Sequence, residues 1–246
     1  MIESDTISVT ENAVIRGGYT LLHAEDTLQL WEGSTIESLR ENTCNMETRS
    51  KELFDCVARY SDQTQLTTEY FTERFQKLYP REQTLATFTS VMTGLMYNYT
   101  NYLVANNEVR LINSRVEGPR IGICSTNLVL KDSILQASGH GCLGDEGLGR
   151  GHQVGECAGS GGSHGGRGGY GGVENDDDQN YIEKCQNHYP EPYHFYEEAD
   201  FEGSGGASGS NEFSTGGNGG GLIKLSALQD LSLHRSEILA NGFEGE

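Results

Sequence analysis

The residues whose types and spacing could do chemistry crowd into the second half of the chain. Gly139, Gly141 and Gly144 satisfy G-x-G-x-x-G directly after an expected strand, formally the fingerprint of a dinucleotide-binding turn. Such a turn must open a helix whose N-terminus meets a pyrophosphate, and the glycine-broken run from Asp145 to Gly155 provides none. Gly161, Ser163 and Gly165, with His164 adjacent, match the G-x-S-x-G nucleophile elbow. That elbow needs a buried strand before it and a helix after it, so Ser163 reads as a loop residue and no catalytic residue is assigned. Arg167 and Tyr170 among glycines imitate an RNA-binding tract, but Glu174, Asp176, Asp177 and Asp178 follow and would repel phosphate. Those four carboxylates read first as a solvated loop and second as candidate metal ligands. Hard cations take carboxylate and carbonyl oxygens, so calcium is the ion they would hold, although the spacing is not that of an EF-hand. His140, His152 and His164 recur every twelve residues, which could gather three imidazoles or be coincidence, the preferred reading. A run from Tyr181 to Phe201, with His188, Tyr189, Tyr193, His194 and Tyr196, offers stacking surface to sugars or proteins, or simply packs as a loop.

Six cysteines, Cys44, Cys56, Cys124, Cys142, Cys157 and Cys185, are even in number and form no C-x-x-C pair of the kind zinc sites use. Disulfides in an oxidising compartment are expected, with Cys142 to Cys157 and Cys44 to Cys56 favoured on proximity alone and the connectivity otherwise open. Asn98, Tyr99 and Thr100 form an N-x-T sequon, which makes Asn98 the candidate glycosylation site. With 17 Lys and Arg against 36 Asp and Glu, the net charge of -19 disfavours a nucleic-acid partner. Met1 to Asn12 is too polar for a signal peptide, and no run approaches the ~18 to 20 apolar residues of a membrane helix. An extracellular or cell-surface location then requires a signal or anchor outside this chain. Both ends read as cuts in a larger protein, since Ile238 to Glu246 closes on a strand-and-turn pattern without a polar cap.

The elements that must carry these residues are announced by an internal repeat. Val109, Leu111, Ser114 and Val116 share their spacing with Leu128, Leu130, Ser133 and Leu135, and again with Leu231, Leu233, Ser236 and Ile238. Apolar residues two apart face one side of a strand, and the small serine permits a tight bend before the next strand. Leu28, Leu30, Gly33 and Ile36 make a half match whose last spacing slips by one. The first two full copies start 19 residues apart, one turn of a solenoid that must stack on its neighbours to be stable. From Asn42 to Val104 the alternation stops. Leu53, Val57 and Tyr60, then Phe71, Phe75 and Leu78, fall at helical spacing, and Pro80 separates them from a longer stripe of Leu85, Phe88, Met92, Leu95, Tyr99 and Leu103. Glycine concentrates in two windows, 16 between Ser138 and Gly172 and 9 between Gly203 and Gly221. Such density in a stretch bracketed by copies of the repeat predicts an ordered excursion in which backbone packs on backbone.

Ser133 to Cys142 (SILQASGHGC), Gly159 to Gly172 (GSGGSHGGRGGYGG), Gly203 to Gly206 (GSGG) and the stretch Gly219 to Gly242, opening GGGLIKL and ending ILANG, carry a resemblance. Residues 127–172 and 203–242 resemble the glycine-rich, pectin-lyase-like β-helix regions of very large surface proteins of unicellular eukaryotes. The resemblance covers less than half of the chain and is compositional; residues 42–104 depart from it. It implies a mainly β fold, a right-handed parallel β-helix or solenoid with Gly-rich loop excursions and an α-helical insertion. The expected organisation is residues 1–41 as first strands, 42–104 as the insertion, and 105–246 as further coils with Gly-rich loops at 138–172 and 203–221. The expected role is a non-enzymatic structural, adhesion or recognition module of an extracellular coat or filament. Its partners would be other chains of that assembly, further copies of itself, or glycans. Alternatives are a carbohydrate-active β-helix enzyme and a calcium-dependent glycan-binding domain. The enzyme would need converging carboxylates, a calcium ion and a basic residue. Asp132 and Glu237 fall near matching places in two repeats, with no Arg or Lys placed by the pattern beside both.

Overall fold

The computed structural model describes residues 2–38, 100–155, 157–164, 167–169, 190–192, 202–209 and 214–245. Among them the chain is mainly β and holds no helix. The strands are β1 (Ile2–Val9), β2 (Val14–Gly17), β3 (Thr20–Leu30), β4 (Thr35–Ser38), β5 (Asn101–Ala105), β6 (Glu108–Ile112), β7 (Arg115–Glu117), β8 (Arg120–Lys131), β9 (Ile134–Gln136), β10 (Leu222–His234) and β11 (Glu237–Leu239). They form two sheets. One runs β1-β3-β5-β8-β10, with β6 also lying between β3 and β8; the other runs β11-β9-β7-β4-β2. Two compact units result. Among the described residues the first comprises 2–38, 100–136 and 223–238, and the second 137–222 and 239–245.

In the first unit each strand pairs in parallel with its equivalent in the next repeat, Val14 opposite Thr35, Asn101 opposite Ile121 and Arg115 opposite Ile134. Parallel pairing at a constant offset puts like side chains one above another. Leu22, Leu103 and Ile123 make one such row. Ile7, Leu28, Val109 and Leu128 make a second, and Val9, Leu30, Leu111 and Leu130 a third. A fourth comprises Ile15, Ile36, Val116 and Leu135. Away from the first strands every member of these rows has no solvent exposure. Each leucine or isoleucine so buried contributes about 1.5–3 kcal/mol, which is what holds polar, acidic segments in register.

The bend between rows is built the same way at successive levels. Asn113, Asp132 and Arg235 take left-handed φ values of 47°, 51° and 48°, and each is followed by the serine of the repeat. Asn and Asp tolerate that conformation better than other non-glycine residues. Ser133 binds its neighbours through one hydroxyl: the Ser114 N–H donates to its Oγ at 3.3 Å, and that Oγ donates to the Lys131 carbonyl at 2.9 Å. Above it the Ser133 N–H donates to Ser236 Oγ at 3.3 Å. The half match at Leu28 is corrected here. There the turn uses two left-handed residues, Glu32 at φ 55° and Gly33 at 79°, and buried Ser34 takes the serine position, its carbonyl accepting from Arg115 N–H at 3.0 Å.

After the third strand of a level the chain turns back through residues 18–19 or 118–119. Gly118 is needed there because a Cβ would lie 2.8 Å from both Asn101 Nδ2 and Ser38 Cβ. At the same point of two other levels the next strands in the chain are β5, beginning at Asn101, and β10, beginning at Leu222. The helices read from spacing between Asn42 and Tyr99 lie outside the described residues. The upper boundary of that insertion is too late, however, because Leu103 is in β5 between Leu22 and Ile123. Its spacing from Tyr99 fits a helix, yet Leu103 and Ala105 also alternate as a strand, and the parallel partners on both sides decide the matter.

The second unit has a different interior. Leu222 is its only buried large hydrophobic side chain among the described residues; the rest of the interior there is Ala137, Ala207, Cys142, Cys157, Pro190, Glu202, serines and backbone. Extended segments exchange main-chain bonds directly: Gly141 N–H to Gly219 O at 2.7 Å, Gly219 N–H to Cys142 O at 2.8 Å, Cys142 N–H to Gly203 O at 3.0 Å and Gly206 N–H to Gly217 O at 2.9 Å. Glycines recur every third residue at 141, 144 and 147 and at 159 and 162. At 141 and 144 and at 159 and 162 a Cβ would meet the main chain of a neighbouring segment.

Candidate functional site

The second unit accounts for the two motifs that looked like enzymes. A Cβ on Gly144 would lie 2.8 Å from the Gly216 carbonyl carbon, and one on Gly141 2.6 Å from Gly219 O. The glycines of the G-x-G-x-x-G run are thus spent on close approach of chain to chain, and carbonyl oxygens stand where a phosphate would need donors. Ser163 is 2% exposed; its N–H donates to Gly149 O at 2.7 Å and its hydroxyl to Glu191 O at 2.7 Å. A hydroxyl donating to a carbonyl ties two loops together and has no base to activate it in that contact. Arg167, the lone cation of the supposed RNA-binding tract, makes an exposed ion pair with Glu191 at 3.2 Å.

His140, His152 and His164 are not gathered. No group of three His, Cys, Asp or Glu among the described residues is placed to hold a metal ion. The candidate calcium ligands Glu174, Asp176, Asp177 and Asp178 lie outside the described residues, as do Asn98, Cys44, Cys56, Cys185 and the tyrosines from Tyr181 to Tyr196. Cys124, Cys142 and Cys157 are each disulfide-bonded and buried. In the second unit Asp145, at φ 63°, accepts from the Ser208 N–H at 2.9 Å and the Ser208 hydroxyl at 2.5 Å. Its carboxylate oxygens thereby cap a turn.

Asp132 and Glu237 do not converge. Asp132 receives Arg235, whose Nε is 2.7 Å from Oδ1 and whose guanidinium also reaches Oδ2 at 2.9 Å. Glu237 belongs to the following strand, its N–H donating to Ser133 O. Three further outward pairs are Arg16 with Glu37, Arg110 with Glu108 and Arg115 with Glu117, each at 2.7–2.8 Å. No match to a known protein family, characterised protein or solved structure is found.

Among the described residues of the first unit, large apolar side chains are exposed at Ile2 and Val14 and along β10 and β11. Leu228, Leu231, Leu233 and Ile238 are 37–50% exposed, whereas Leu128, Leu130 and Leu135, which occupy the same repeat positions one level below, are fully buried. Seven consecutive residues, Leu228 to His234, are exposed along β10, the end strand of its sheet among those described. The repeat pattern foretells which of these residues share positions with the inward leucines of the level below.

Proposed function

We propose that this chain is part of a right-handed parallel β-helix that works as a non-enzymatic structural or recognition module of an extracellular surface assembly. The observation that carries the reading is the parallel register: side chains 19 to 21 residues apart bond directly, as in Ser114 with Ser133, Thr100 with Arg120 and Arg16 with Glu37. Successive parallel strands joined through a second sheet turn with right-handed sense in nearly all proteins, which supports the handedness. Rows of identical chemistry give a stiff rod whose length scales with the number of turns, a property useful in a coat or filament.

The extracellular part of the proposal is supported by the bridged state of Cys124, Cys142 and Cys157. A unit whose interior is mainly backbone gains from cross-links and would lose them among cytosolic reductants. The partners proposed are protein chains of the same assembly. A lyase or hydrolase would need carboxylates converging with a basic group free to act on substrate, whereas Asp132, the carboxylate that the repeat pattern offered, is held by Arg235.

The test is peptide mapping of unreduced protein recovered from its native setting, combined with incubation on a panel of acidic and neutral polysaccharides. The proposal expects three bridges and no new reducing ends or unsaturated products. Six free thiols would overturn the location, and any product above that of boiled protein would overturn the non-enzymatic role.

A further inference from the structure

We draw no further inference here: the strongest candidate, the outer face of β3, β5 and β8 at Leu21, His23, Val104 and Cys124, is buried although these residues alternate with the inward Leu22, Leu103 and Ile123, and nothing among the described residues shows what covers it.

Discussion

Arg235 stands directly over Asp132, guanidinium on carboxylate at 2.7 Å, although 103 residues separate them in the chain. Both residues hold left-handed backbone at the bend of their level, and each leads into a serine that continues the hydroxyl row. The excursion between them therefore leaves the repeat register undisturbed.

That pair separates charge from backbone geometry in a single position. The ion pair is largely exposed on the Arg235 side, so Asp132→Asn should change unfolding free energy by no more than about 0.5 kcal/mol. Asp132→Val keeps the size but forbids the left-handed turn, and should cost about 1–2 kcal/mol. Chemical denaturation of the two variants measures this; equal losses would mean that the charge, and not φ, is what the site requires.

Ser133 is 1% exposed and its Oγ bonds in two directions. Ser133→Ala leaves the Ser114 N–H without its acceptor and should cost about 1–3 kcal/mol. A thermal melt of this variant beside an exposed control, Ser232→Ala, should show the drop at the first only.

The glycine unit makes a sharper comparison. A methyl group on Gly144 or Gly219 would overlap main-chain carbonyls of Gly216 or Gly203, whereas one on Gly169 meets nothing within 4 Å. Gly144→Ala and Gly219→Ala should each destabilise by about 1–3 kcal/mol or more, and Gly169→Ala should be neutral. Amide hydrogen exchange, read on peptides from 137–155 and 202–209, should show faster exchange in the first two variants alone.

Reduction should act unevenly. The first unit has buried leucine rows, while the second depends on backbone bonds around Cys142 and Cys157. Each lost bridge typically costs about 2–4 kcal/mol. Hydrogen exchange in a mild reductant is expected to rise first across 137–155, with β3 and β6, which carry no cysteine, protected longer; simultaneous loss in both would show that the units unfold together.

Leu103→Ala tests the strand that helical spacing disguises. Packed between Leu22 and Ile123, it should lose about 2–5 kcal/mol, measured by urea denaturation.

The local sequence determined the strands, their inward faces and the serine bends, because period-two alternation and a small residue at the turn are short-range properties. The repeat of Val109 to Val116 in Leu128 to Leu135 was enough to predict stacking, since neither copy can bury its apolar face alone. Density of glycine also indicated backbone-on-backbone packing, for no other residue permits chains so close. Tertiary structure decided the remainder. It assigned Ser34 to the serine row, because an extra turn residue shifts the spacing there; it placed Leu103 in a strand, because only parallel partners separate four-residue from two-residue periodicity. It also turned the G-x-G-x-x-G and G-x-S-x-G matches into packing contacts. Whether a glycine faces a ligand or a neighbouring carbonyl depends on chain that lies some 70 residues away, as Gly144 and Gly216 do, and no window of sequence contains that distance.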